Sequence, residues 1–427
     1  MHNEHHFIDV SQLQVGIYVH LDLGWMDHPF TLSNFKVKDE EQISIIKKTG
    51  LTKLRYDPKR SDCQPLPVKV NTPATAEIVE KETQSIPAPA NSVDNAKQRL
   101  KELHQAINVC ERKFINTSNI ARQVTRNILT DSKASIEQAA VIVNDLVDTA
   151  LMEGDVAVHA LNGNRSSDAN YIHPLNVTVL ALIMAKSINM SKEDARLLGM
   201  AALFHDIGKA EISDKILLKK DPLTKSEQSH FEQHSEMGAR MAQEVGLPVR
   251  IGKIIMQHHE HADGSGYPKH LRSEQTDPFA RLIAIVNGYD NLCNPNNIAL
   301  AKTPYEALAH MYASQRAKYD ESLLKRLIKS LGIYPPGSIV QLSTGSYATV
   351  ISVNPNKPLR PFVMVHDPLT DRHEPQIIDL REEPSISINA CLRPSQLPAD
   401  VLEYLNPRKR VSYFIDLDLS NAEDSQA

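Results

Sequence analysis

The sequence predicts a mainly α-helical fold, in which a helical bundle follows a small α+β unit and precedes a small β-rich segment. Three observations carry that prediction. Apolar residues fall at three- and four-residue steps through most of residues 93–332, the period of helices buried on one face. Residues 1–62 combine short alternating runs with a single helical stretch. Residues 333–385 change to β-branched runs parted by Pro, Gly and Asn. A chain of 427 residues has room for roughly two to four domains. With 41% hydrophobic and 23% charged residues it has the composition of a soluble globular protein, and a net charge of −5 gives no basis for binding a nucleic acid polymer. Cys63, Cys110, Cys293 and Cys391 are scattered without a Cys-x-x-Cys pair. They argue against a zinc ribbon or a disulfide framework and fit a reducing, cytoplasmic setting. The N-terminus, with His2, Glu4, His5, His6 and Asp9, lacks the apolar core of a secretory leader, and no apolar run reaches the ~18 residues of a membrane span.

Within residues 1–62, Ile17 to Leu23 alternates apolar and polar side chains and predicts a strand, and Leu54 to Asp57 predicts another. Lys38 to Lys48 sets Ile43, Ile45 and Ile46 among charges and predicts a short helix. Trp25, the one Trp, reads as a buried or interfacial aromatic beside His28 and Phe30, and His2, His5 and His6 as a frayed polar terminus. Residues 63–92 gather Pro65, Pro67, Pro73, Pro87 and Pro89 and predict a linker. Residues 93–160 read as helical throughout, on Leu100, Leu103, Ile107, Cys110 and Phe114 and then on Ile128, Ile136, Ala140, Val143 and Val147. This connector is either a dimerising signalling stalk or the first helices of the bundle, and spacing alone leaves both open.

Residues 161–332 form the bundle proper. Asn162-Gly163-Asn164 breaks the preceding helix, and His173-Pro174 opens the next, with Val177, Leu180, Ala181 and Met184 on its buried face. Ser191 is the expected N-cap of Lys192 to Phe204. Ser226 to Val245 and Val249 to His258 are two further helices. In residues 333–385, Ile339 to Leu342, Tyr347 to Val353 and Pro361 to His366 predict three strands of a β appendage. Residues 386–427 form an extension whose polar tail, after about Asp418, reads as disordered.

The chemistry gathers around Ala202-Leu203-Phe204-His205-Asp206-Ile207-Gly208-Lys209, where an apolar run delivers an adjacent His-Asp pair. Imidazole nitrogen and carboxylate oxygen together suit iron, manganese or zinc, and the two oxygens of one Asp can bridge two ions. His173 precedes the pair, and His234, His258 and His259 follow it on other helices, as bundle-core metal sites require. Gln257 to Pro268 ends an apolar helix with two His residues and then enters a loop rich in Gly and Pro, whose backbone N–H groups can approach an anion.

His205-Asp206-Ile207-Gly208-Lys209, with His258-His259-Glu260 and Asp263-Gly264-x-Gly266-Tyr267-Pro268, resembles the HD-GYP family, a branch of the HD metal-dependent phosphohydrolases. The resemblance covers residues 165–330. Val15 to Val19 and Trp25 to Phe30 are similar to an accessory domain that often precedes HD-GYP domains. The family likeness implies a helical HD-type domain, two divalent metal ions, preferably iron or manganese, and hydrolysis of the bacterial messenger cyclic di-GMP by metal-activated water. It implies that Asp206 bridges the ions, with His173 and His205 on one and His234, His258 and His259 on the other. Lys209 would hold a phosphate oxygen, and Asp263, Gly264, Gly266, Tyr267 and Pro268 would shape the substrate loop. His230 and His261 fall outside the ligand set. Signalling proteins and a second copy of the chain are the expected partners besides the nucleotide.

The sequence departs from the family at one ligand. Aligned on Ala280-Arg281 and Tyr289-Asp290, the usual metal-binding Asp is Asn287, which offers an amide oxygen but no charge. That should weaken the His173/His205 position. Asp290, three residues on, would need a backbone shift to replace it. Ala169 stands where three-metal members carry Glu, which favours two metals. An enzyme and a non-catalytic cyclic di-GMP-binding or scaffold protein both follow from this pattern.

Overall fold

The computed structural model describes residues 6–21, 34–48, 53–66, 113–151, 156–160, 169–219, 221–353, 357–368, 375–405 and 413–417. They fall in two units, Met1–Pro89 and Ala90–Ala427.

In the first unit, strands β1 (His6–Asp9), β2 (Tyr18–His20), β3 (Asn34–Lys36) and β4 (Lys53–Tyr56) form an antiparallel sheet in the order β1-β4-β2-β3, with helix α1 (Glu40–Lys48) between β3 and β4 in the chain. Ile8, Ile17, Val19, Ile43, Ile46 and Leu54 supply its core. Both predicted strands and the predicted helix are present. His6 is not frayed: it pairs with Tyr56 at the edge of the sheet. Trp25, His28 and Phe30, most of the proline-rich linker and the helix expected over 93–112 lie outside the described residues.

The second unit begins with a helix over 113–127 (α2), followed by α3 (Ser132–Leu151). α3 buries Ala139, Ile142, Val143, Leu146, Val147 and Ala150 and packs on α4 (Ala169–Ser187) and α5 (Lys192–Phe204). It is therefore a helix of the bundle. The helical prediction fails at its end, because Val156–Ala160 is a strand, β5. β5 is fixed by antiparallel pairing with residues more than 190 positions away, a cause no local pattern records.

α4 is the central helix. Leu175, Val177, Val179 to Leu182, Met184 and Ala185 are all at 0% exposure, so it is buried on every side. It starts at Ala169, one turn earlier than His173-Pro174 predicted, and Pro174 lies inside it. The proline deprives the carbonyl of residue 170 of its intrahelical partner, a cost confined to the first turns of the helix. Ser191 caps α5 as expected, accepting from the Asp194 N–H.

After α5 come a 3-10 turn (Ile207–Glu211), α6 (Asp214–Leu217), α7 (Lys225–Glu232), α8 (His234–Glu244), α9 (Val249–Gln257), α10 (Pro278–Cys293), α11 (Pro304–Ser314) and α12 (Glu321–Leu331). The predicted single helix over Ser226 to Val245 is two, broken at Gln233. The turn at Gln233 leaves the apolar spacing almost in phase, so the break does not show in the sequence.

The β-rich end is larger than predicted. β6 (Ile339–Leu342), β7 (Tyr347–Val353) and β8 (Phe362–Val365) match the three predicted strands. β9 (Gln376–Asp379), β10 (Ile388–Leu392) and β11 (Tyr413–Leu417) join them, and β5 completes a seven-stranded sheet. Its order is β10-β6-β7-β5-β11, with β8 pairing β7 and β9 pairing β8. Helix α13 (Ala399–Leu405) contributes Val401 and Leu405 to a core with Ile351, Phe362, Met364 and Ile377. The extension from residue 386 is thus structured over its described residues, 386–405 and 413–417, and β11 packs on α3 and α4. The tail expected to be disordered lies outside the described residues.

Candidate metal centre

The site is built from helix ends. His205 is the C-terminal cap of α5, His234 opens α8 directly after α7, and His258 caps α9. The last carbonyls of a helix have no partner within it. Here the imidazoles supply one: His205 Nδ1 donates to Ala202 O at 2.7 Å, His234 Nδ1 to Phe231 O at 2.7 Å and His258 Nδ1 to Ile255 O at 2.5 Å. A carbonyl can only accept, so Nδ1 carries the proton in all three and each Nε2 presents a lone pair. His173 reaches the same state another way, with Nδ1 donating to Asp290 Oδ2 at 2.6 Å.

Those nitrogens converge on the two oxygens of Asp206. His173 Nε2 and His205 Nε2 lie 3.5 and 3.4 Å from Oδ2, and 3.2 Å from each other. His234 Nε2 and His258 Nε2 lie 3.4 and 3.7 Å from Oδ1, and 3.4 Å from each other. His259 joins the second group. Ligand atoms bound at ~2.1 Å to one ion stand ~3.0–3.4 Å apart, so these spacings fit two cation positions sharing one carboxylate. The donor set fits as well. Asp206 Oδ1 and His259 Nε2 are buried and have no hydrogen-bond partner, a cost of about 1–3 kcal/mol each that a bound cation removes.

Charge agrees with geometry. Burial depresses His205 to about 4 and His234 to about 3, against the weaker opposing pull of Asp206, and pushes His259 well below the ordinary histidine range. All three are neutral near pH ~7, the form that binds metal. Burial alone would raise the Asp206 carboxyl, but His205 and Lys209 hold it well below the usual carboxylate range. Lys209 Nζ pairs with Asp206 Oδ2 itself.

Two close backbone approaches set this geometry. A Cβ on Gly208 would lie 2.0 Å from the His234 carbonyl oxygen and 2.4 Å from the Gly238 nitrogen, so only glycine lets the turn after Asp206 press on α8. A Cβ on Gly266 would lie 2.3 Å from the His259 oxygen and the His261 nitrogen, which folds the loop back onto the His258-His259 step. The Tyr267 ring stacks on His259 with centroids 4.6 Å apart, and the Tyr267-Pro268 bond is cis. Gly264 has φ +80, and Asp263 Oδ1 accepts from the Ser265 N–H.

Sequence reasoning assigned no role to Glu260 or to an Asp290–His173 contact. Glu260, 2% exposed, accepts from the Lys269 and Leu271 N–H groups and pins the loop. Its place in the His-His-Glu step was the available signal. Asp290 lies in the alignment used to find Asn287, but its partner is 117 residues away. Asn287 is 2% exposed on α10, and its amide oxygen accepts from Asn291 Nδ2 at 2.7 Å. His230 pairs with Gln233, and His261 with Ser265.

Residues 123–323 match the model of an HD domain, residues 5–155 that of a domain of unknown function (DUF3391), and residues 339–399 that of a KOW domain associated with HD domains. The cyclic di-GMP phosphodiesterase PA4108 of Pseudomonas aeruginosa is 25% identical over 361 residues, 84% of this chain and 84% of its own length. The cyclic di-GMP phosphodiesterase response regulator RpfG of Xanthomonas campestris is 32% identical over 152 residues, 35% of this chain and 40% of its own. Among solved structures, Bd1817, an HDG"Y"P protein from Bdellovibrio bacteriovorus, aligns at 17% identity with a TM-score of 0.41, covering 76% of this chain and 98% of that one. The fold and the His/Asp cluster define an HD-domain protein. Residues 123–323 are an HD domain, and the matches support an HD-GYP family member with an accessory domain ahead of its HD domain. No helix among the described residues is long and apolar enough to cross a membrane.

Proposed function

We propose that this protein is a metal-dependent phosphodiesterase that hydrolyses cyclic di-GMP. The observation that carries the reading is the sharing of Asp206 between two sets of inward-facing imidazoles. The names of its relatives support the substrate. Asp206 bridges two positions. His173 and His205 serve the first, with Asn287 as a neutral additional donor, and His234, His258 and His259 serve the second. Two divalent ions, iron or manganese by the donor set, would supply the Lewis acid for the phosphate and lower the pKa of the attacking water.

The chain's own groups do the rest. The Nδ1–H bonds to Ala202, Phe231 and Ile255 hold each imidazole in one tautomer. Lys209, at the rim and paired with Asp206, is placed to turn its ammonium to a non-bridging phosphate oxygen. Asp263, Gly264, Gly266, Tyr267 and Pro268 form the loop beside the second position. There Tyr267 covers one face of His259 and keeps water from it.

Asn287 favours a second reading, a protein that binds the nucleotide without turnover. A substrate panel separates the two. Metal-loaded protein is offered cyclic di-GMP, 3'3'-cGAMP and cyclic di-AMP, beside Asp206→Ala. Cleavage of cyclic di-GMP ahead of the others, lost in Asp206→Ala, is the expected result. Binding of cyclic di-GMP with no cleavage of any of the three would leave the effector reading in its place.

A further inference from the structure

A chain of buried polar contacts leads from the C-terminal strand to the first cation position. Asp290 is 0% exposed. Its Oδ2 receives His173 Nδ1–H, and its Oδ1 receives the side-chain amides of Asn176 and Asn294, both at 2.8 Å. The Asn176 side chain, itself at 0% exposure, points its oxygen the other way, where it accepts the backbone N–H of Tyr413 at 3.2 Å. Tyr413 is the first residue of β11 and is fully buried. Its hydroxyl meets that of Tyr289, the neighbour of Asp290, at 2.8 Å.

The two ends of the Asn176 amide are nearly identical in shape, so either could face Asp290 if nothing fixed it. An amide oxygen turned toward the Asp290 carboxylate would set two acceptors against each other. The Tyr413 N–H forbids that orientation, because only the oxygen can accept from it. We propose that Tyr413, through Asn176 and Asp290, is a positioning residue for His173, so that the terminal strand of the seven-stranded sheet sets metal affinity at the His173/His205/Asp206 position. The effect is selective. On the other side, His234 and His258 are oriented by the backbone carbonyls of Phe231 and Ile255, and His259 stacks on Tyr267, rather than being held through Asp290. The first position is also the one where Asn287 withholds a charge, so its affinity depends most on how well His173 is held.

The proposal rests on the metal reading of the site, and its test reads metal binding rather than hydrolysis, so the two can fail separately. Manganese is titrated into metal-free full-length protein, with bound ions counted and the electron paramagnetic resonance signal recorded. Wild type should bind two ions with the signature of a coupled pair. Asn176→Leu removes the relay and should weaken one ion by about 10–100-fold, the range for lost partners of a ligating histidine, leaving an uncoupled single-ion signal. Tyr413→Pro removes only the N–H that matters and the phenol, at a strand's first residue where proline is tolerated. It should do the same, which keeps the test open if Asn176→Leu fails to fold. Tyr413→Phe keeps the N–H and should retain both ions. Two ions at wild-type affinity in either relay variant would overturn the proposal. So would a Tyr413→Phe protein as impaired as Tyr413→Pro, or a wild type with no ion at the first position.

Discussion

At the scale of single residues, the site is decided by which atom of each side chain is already engaged. Three histidines spend Nδ1 on a helix-end carbonyl, and His173 spends it on Asp290, so four Nε2 atoms face Asp206. Asn287 is engaged differently, with its oxygen held by Asn291. On the proposed ligand set, Asn287→Asp adds a charge at the first position and should tighten it by about tenfold or more, measured by metal titration; an unchanged affinity would mean that position 287 does not reach the ion. The identities of His173, His205, Asp206, His234, His258 and His259 were legible in the sequence, since residue type and motif order are local text. The Asp290–His173 and Tyr413–Asn176 contacts were not, because the partners are 117 and 237 residues apart and only packing brings them together.

At the scale of elements, the glycines fix how closely the pieces approach. Gly208→Ala would drive a methyl into the His234 carbonyl, an overpacking cost of about 1–3 kcal/mol or more. It should lower the melting temperature by roughly 2–5 °C and loosen metal at the second position, read by calorimetry and metal titration on one sample. Gly266→Ala acts on the loop instead. With His259 and Glu260 backbone within 2.6 Å of the new methyl, it should raise KM for substrate more than it lowers the melting temperature, and a variant with unchanged KM would remove the loop from the binding surface. Caps and amphipathic helices such as Ser191 with Lys192–Phe204 were readable because their signals are short-range. The break at Gln233 and the strand Val156–Ala160 were not. The first leaves the apolar phase nearly unaltered, and the second exists only through pairing with β7 and β11.

At the scale of the whole molecule, folding and metal binding share the same buried imidazoles. In the unfolded chain these titrate near ~6.5, whereas in the fold His205 sits at about 4 and His234 at about 3, both depressed first by burial. Between those limits the unfolded state binds more protons, so the stability of the metal-free protein rises with pH and is lost as pH falls below ~6.5. Thermal denaturation of chelated protein between about pH 6.5 and 5, above the range of ordinary carboxylates, should show a falling midpoint; a flat profile would contradict the burial of neutral histidines. Bound ions oppose the loss. At a metal concentration a hundred times Kd each ion adds about 2.7 kcal/mol, so chelation at neutral pH should lower the midpoint by several degrees.

The central claim, a phosphodiesterase built on one shared aspartate, is tested most directly by counting bound metal and measuring cyclic di-GMP turnover on the same anaerobically purified sample, beside Asp206→Ala. Two ions per chain with turnover, and neither in Asp206→Ala, is the predicted result. A wild type that holds two ions and cleaves nothing, or an Asp206→Ala variant that cleaves at the wild-type rate, would contradict it.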